Sequence, residues 1–196
     1  MLGFKEVVLK DFLFLRTYGM VPVTEDVTFV RFESKDVFVN VFHGRGSYEI
    51  GIEVGRKDRP ETYGLGYVVL KAAGTEAYKS EGFGGATIFQ VSSVEGVRNI
   101  VPKVAALLEK YGPQFLLGTT SYYEDLARQN ERASIMGERN RMLARLRKDA
   151  DAAWSAKQYS RVAELYGPIS DELSEIERKR LAYALKHATA HISRES

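Results

Sequence analysis

The chain has 196 residues, with 28 Lys and Arg against 26 Asp and Glu, and no cysteine. That length suits one domain, or one domain with a small helical extension, and neither half is a polybasic module: residues 1–118 carry 14 basic and 14 acidic side chains, residues 119–196 carry 14 and 12. Lack of cysteine excludes a disulfide framework, a zinc–thiolate cluster and a thiol nucleophile, and makes a reducing cytoplasm the expected location.

The first six residues lack the basic-then-apolar order of a secretory signal. The nearby apolar run Phe12–Leu15 is far short of the roughly 20 residues a membrane span requires. Phe4, Val8, Phe12 and Leu15 recur at helical spacing and predict a helix over 4–18, with Gly19 as its stop. Pro22 forbids continuation of that helix. Residues 26–56 then read as three antiparallel strands, folding back through Ser34–Asp36 and His43–Gly46. Val37, Val39 and Val41 alternate with Phe38, Asn40 and Phe42; Tyr48, Ile50, Ile52 and Val54 alternate with Glu49, Gly51 and Glu53. The last strand therefore has one apolar face and one acidic or bare face.

Residues 63–73 fit both a strand and a helix, and a short helix ending at Gly74 is the reading adopted. Residues 74–86, with four glycines beside Tyr78 and Phe83, predict a long irregular connection. Ser92 and Glu95 form a capping pattern that opens a helix with the stripe Val97, Ile100, Val101, Val104, Leu107, Leu108 and Tyr111. Pro102 within it predicts a kink. Gly112–Pro113 resets the chain, and Ser121 with Glu124 opens another helix. The last third predicts helices over 136–156, 159–166 and 174–187. The final one is capped by Ser174 and Glu177, with Leu181, Leu185, Ala188 and Ile192 toward its core. The expected fold is α+β: an antiparallel β-meander covered by helices in residues 1–120, then an all-helical extension over 121–196 that packs on the body.

Chemistry-bearing patterns are few. His43–Ser47 places glycines around Arg45, which suits a phosphate, but a phosphate loop opens a helix and here a strand follows. A hairpin turn explains the same residues. Glu49 and Glu53 share a strand face about 13 Å apart, wider than the roughly 5–9.5 Å of paired glycosidase carboxylates, so a solvated face is expected. Glu33–Ser34–Lys35, with Asp26 and Glu6, is similar to the acid-x-Lys ending of metal-dependent nucleases, yet it falls on a predicted turn. His187 and His191 stand four apart with Glu195 beyond, but Ala188 occupies the place where zinc peptidases carry glutamate. His43 is the one sensible base. The expectation is no catalytic residue, no cofactor and no metal. Candidate partner-binding residues are Arg45, Tyr63, Tyr78 and Phe83, together with Arg139, Arg141 and Arg145 of a basic helix, where residues 128–148 hold seven basic side chains against Glu131 and Glu138.

Two resemblances attach to these patterns. Ala153–Trp154 with Tyr159, Val162, Ala163 and Tyr166 resembles the inter-helix corner of a tetratricopeptide repeat over residues 142–170, although Asp149–Ala150 replaces the usual leucine–glycine pair and no second copy exists. The leading helix, the meander Val37–Arg56, Leu107–Gly112 and Gln114–Gly118 resemble small uncharacterised bacterial α+β proteins, some of which are similar to immunity proteins of toxin systems. That resemblance implies a non-catalytic cytoplasmic protein that blocks a protein partner by surface complementarity. The alternatives are a metal-dependent nuclease or other hydrolase using Glu33, Glu49 or Glu53, and nucleic-acid binding through Arg128–Lys148.

Overall fold

The computed structural model describes residues 3–44, 46–84 and 89–192. The protein is α+β, and the chain divides into two compact units, Met1–Ala127 and Arg128–Ser196.

In the first unit α1 (Phe4–Asp11) buries Phe4 and Val8 and tightens into a 3₁₀ segment, Leu13–Tyr18, that stops at Gly19. The predicted single helix is thus two pieces, hinged at Phe12. Five antiparallel strands follow in sequential order: β1 (Val21–Glu25), β2 (Phe29–Glu33), β3 (Val37–His43), β4 (Ile50–Arg56) and β5 (Thr62–Gly64). β2, β3 and β4 are the three predicted strands; β1 and β5 are edge strands beyond that expectation. Proline is tolerated in β1 because the strand has a neighbour on one side only, and a bulge between Pro22 and Thr24 breaks its register.

Pairing of Val39 with Val54 and Val41 with Ile52 puts every valine and isoleucine of β3 and β4 on one face. That face carries the core with Phe4, Val8, Phe12, Val97, Val101, Val104, Leu108, Phe115 and Tyr123 of the helices. Burying each large apolar side chain of this set contributes roughly 1.5–3 kcal/mol, enough to set the register, since a slip by one residue would turn the set outward.

Residues 63–73 divide: Tyr63 lies in β5, and α2 (Leu65–Ser80) begins directly after it. Gly74 is non-helical with φ 80°, which marks the expected stop, but the chain resumes helix to Ser80 rather than becoming irregular. α3 (Val94–Tyr111) is capped by Ser93, whose Oγ accepts from the Gly96 N–H at 3.0 Å, instead of by Ser92. It runs on through Pro102, which is exposed, so the carbonyl deprived of its donor can bond water. α4 (Pro113–Leu117) ends at Gly118, in the left-handed region with φ 67°. Arg56 closes this corner, donating from Nε and Nη2 to Asp58 at 2.8 and 2.9 Å and from Nη1 to Gly118 O.

α5 (Thr120–Ser155) is one helix where two were predicted, and Ser121 lies inside it. The boundary between the two units falls within α5. In the second unit, the C-terminal half of α5, α6 (Tyr159–Tyr166), a 3₁₀ segment Gly167–Glu172 and α7 (Glu175–Ile192) enclose their own core of Leu143, Ala150, Ala153, Val162, Leu165, Tyr166, Ile169, Leu173 and Ala184. The capping box forms as read: Ser174 N–H donates to Glu177 Oε2 at 2.7 Å and Glu177 N–H to Ser174 Oγ at 3.3 Å. The register of α7 differs from the expectation, since Ala184 is fully buried while Leu185 is 53% exposed. No helix among the described residues is long and apolar enough to cross a membrane.

Candidate functional site: an acidic cleft on the open sheet face

The face of the sheet away from the core has a chemistry of its own. Alternation sends Arg31 and Glu33 of β2, Phe38, Asn40 and Phe42 of β3, and Gly51, Glu53 and Gly55 of β4 to this side. Phe38 pairs with Gly55 and Phe42 with Gly51. Each ring lies over its glycine: a Cβ at Gly55 would stand 2.6 Å from Phe38 Cζ, and one at Gly51 would overlap the Phe42 ring. The glycines let two phenylalanines lie down on the strand.

A chain of polar contacts starts beside Phe38 and ends between the two rings, at Asn40 and Glu53. Lys57 Nζ donates to Glu33 Oε2 at 2.9 Å, and Arg31 Nε donates to Glu33 Oε1 at 2.7 Å. Arg31 Nη1 donates to Asn40 Oδ1 at 3.2 Å, and Asn40 Nδ2 donates to Glu53 Oε2 at 3.3 Å. The Arg31 guanidinium also lies 4.0 Å from the Phe38 ring centroid. Lys57 and Arg31 together hold the Glu33 carboxyl below its ordinary value, the Lys57 hydrogen bond contributing most. Asn40 is 9% exposed with both ends of its amide engaged, so the Glu53 carboxylate at the end of the chain is held in place.

Beside Glu53 the sheet edge opens. β5 pairs with β4 only over Glu53–Gly55. Farther back, Glu49 bridges to Gln90, Ile50 N–H donates to Phe89 O at 2.9 Å, and Val91 N–H donates to Tyr48 O at 2.7 Å. Gly51 and Ile52 lie between these two pairings, and there a cleft of about 370 Å³ is lined by Phe42, Glu49, Gly51, Glu53, Phe83 and Phe89 among others. Phe83 packs on Phe89 and stacks on Tyr78, with centroids 5.4 Å apart in both pairs. Its wall is fastened by Glu81, which accepts from Tyr111 Oη at 2.7 Å and Lys110 Nζ at 3.0 Å; these two donors, Tyr111 first, lower its carboxyl pKa.

The expected site residues fall variously. Phe83 lines the cleft and Tyr78 supports it, but Tyr63 is 3% exposed in the core, packed edge-on against Phe115 and Tyr123, so it offers no surface to a partner. Arg45, the His191 side chain and Glu195 lie outside the described residues. Glu49 is exposed, as a solvated face requires, and Glu53 is half-buried; both flank the cleft. His43 faces the core, its Nε2–H donating to Val91 O at 2.8 Å, and stands on the opposite side of the strand from Phe42. Glu33 is engaged by Arg31 and Lys57. Among the described residues no group of three His, Asp or Glu is placed to hold a metal. In the basic helix Arg139 pairs with Glu172 and Arg147 with Glu177, while Arg141 and Arg145 are exposed.

Asn40, Phe42 and Gly51 were visible in the strand alternation, but not as parts of a site. A signal existed: the spacing Phe-x-x-x-Phe in one strand opposite Gly-x-x-x-Gly in the next. No family model, curated protein or solved structure matches this chain.

Proposed function

We propose that the protein is a non-catalytic binding protein of the cytoplasm that engages a protein partner through this cleft, in the manner of an immunity-type inhibitor. The observation that supports this reading is the cleft itself: a pinned carboxylate, aromatic walls and a bare glycine floor on a sheet whose other face is committed to the core. Rigid rings and a fixed charge give a partner contact area at small entropic cost. Glu49 and Glu53 are about 13 Å apart along the strand, and no base stands beside them among the described residues, an arrangement better suited to recognition than to proton transfer.

The test is capture of the partner under native conditions, with hydrogen-exchange footprinting of the complex. Protection centred on residues 38–53 and 83–84, and loss of capture on Gly51→Trp, are the expected results. A purified chain that hydrolyses nucleic acid, ester or phosphate, and loses that activity on Glu49→Gln or Glu53→Gln, would establish the hydrolase alternative instead.

A further inference from the structure

The Phe38–Gly55 pair demonstrates what this face does with an arginine. The ring lies flat on the bare strand, the Arg31 guanidinium stands over it at 4.0 Å, and the same guanidinium pairs with Glu33 at 2.7 Å. Three parts hold it: an aromatic face, a glycine beneath, and a carboxylate at the ring's edge.

The same parts recur four residues along. β3 and β4 are symmetric about the pair Asn40–Glu53: Phe38 and Phe42 lie two residues to either side of Asn40, and Gly55 and Gly51 two residues to either side of Glu53. In the second copy Phe42 lies over Gly51, with Glu53 on one side and Glu49 on the other. One part differs. Among the described residues no cation stacks on Phe42, and no Lys, Arg or His lies within ion-pair distance of Glu49 or Glu53. Asn40 occupies Glu53 Oε2, and Oε1 has no donor among the described residues. This copy opens into the cleft, whereas the Arg31 copy is filled by the chain's own side chain.

We infer that the cleft is an arginine-binding half-site: it receives the guanidinium of an arginine on the partner protein, stacked on Phe42 and paired with Glu53, with Glu49 at its rim. The inference rests on the binding-protein reading above and names the chemistry of the partner. A guanidinium suits the site better than an ammonium, because it is planar, stacks on aromatic faces and offers paired donors to a carboxylate. A cleft of about 370 Å³ lies at the low end of the roughly 300–1,000 Å³ typical of ligand pockets, the size of one long side chain rather than of a nucleotide or a large cofactor.

The probe is N-acetyl-arginine amide, titrated into the ¹⁵N-labelled full chain, with the lysine and citrulline analogues in parallel; citrulline keeps the shape and removes the charge. Arginine is expected to shift the amides of Phe42, Gly51 and Glu53 with millimolar affinity, and citrulline to bind at least about tenfold more weakly. Glu53→Gln should weaken arginine binding about tenfold or more, and Phe42→Leu roughly threefold to tenfold. Glu109→Gln, exposed on α3, should leave it unchanged. Equal responses to arginine and citrulline, no response to either, or an arginine response that survives both substitutions in variants with native circular dichroism would overturn the assignment. A captured partner whose footprint covers the cleft, combined with silence toward the arginine probe, overturns this inference alone. An arginine response in a chain that captures no protein overturns the reading it rests on.

Discussion

Gly118 is a position where a single methyl group should be costly. It ends α4 with φ 67°, and an ideal Cβ built there would overlap Val37 Cγ2, a side chain 1% exposed at the start of β3. Holding alanine in the left-handed region costs roughly 1–2 kcal/mol, and forcing a methyl into a packed core typically adds about 1–3 kcal/mol. Any backbone shift that relieves the overlap also moves Gly118 O away from the Arg56 guanidinium. Gly118→Ala is therefore expected to lose about 2–5 kcal/mol, a large share of the roughly 5–15 kcal/mol that holds a domain folded. Urea denaturation followed by far-UV circular dichroism measures it directly, and the corresponding drop in Tm is roughly 5–20 °C. The steric part is separable. In a double-mutant cycle with Val37→Ala, the Gly118→Ala penalty should shrink to the torsional part, whereas two unrelated sites would simply add. A penalty below about 1 kcal/mol, or one that Val37→Ala leaves untouched, would refute the account of this corner.

Three further outcomes follow from the same geometry. Glu33 has its carboxyl pKa lowered from 4.5 by the Lys57 hydrogen bond and then by Arg31. Its contribution to stability is thus complete above pH 4.5 and lost as pH falls through the lower folded value, and Glu33→Gln should flatten the acid limb of a stability–pH curve. Tyr123 has its hydroxyl pushed well above 10, by burial first, and donates to Phe115 O at 3.0 Å; stability should be steady below pH 10 and fall above it. Tyr123→Phe should reduce that alkaline slope, to which the raised Tyr63, Tyr122, Tyr159 and Tyr166 also contribute, and cost about 1–3 kcal/mol at neutral pH, because Phe115 O loses its donor in the core. Ser174→Ala should destabilise the second unit by about 1 kcal/mol through loss of the capping box, read from the fluorescence of Trp154, the only tryptophan of the chain.

How far the residues announced this structure depended on how local the information was. β2, β3 and β4 were legible because alternation of valine and isoleucine with polar or bare positions is a property of neighbouring residues. The edge strands were not: β1 contains Pro22, and β5 is three residues long, too short for a period to show. In α5, residues 128–136 carry no apolar stripe, so the pattern breaks one helix into two; the second core takes its first residue of α5 only at Leu143. In α7, Leu185 competes with Ala184 for the inward face, and the second core takes Ala184, with Leu181 packed beside it. The cleft was half legible. Glu49, Gly51 and Glu53 were visible as an acidic, bare face, but the walls that turn it into a cleft are Phe83 and Phe89, thirty or more residues further along. The laying of Phe42 over Gly51 also depends on cross-strand register, which no single strand encodes.

Pro22 has a consequence for the protein in a crowded solution. β1 leaves one side of the sheet open, and its Val21 and Val23 are 56% and 51% exposed, a combination that ordinarily invites a second chain to add itself as a sixth strand. A residue without an N–H, followed at once by a bulge, spoils the regular row of donors such an intruder would need. The exposed valines of β1 are thereby less open to strand addition by a second chain.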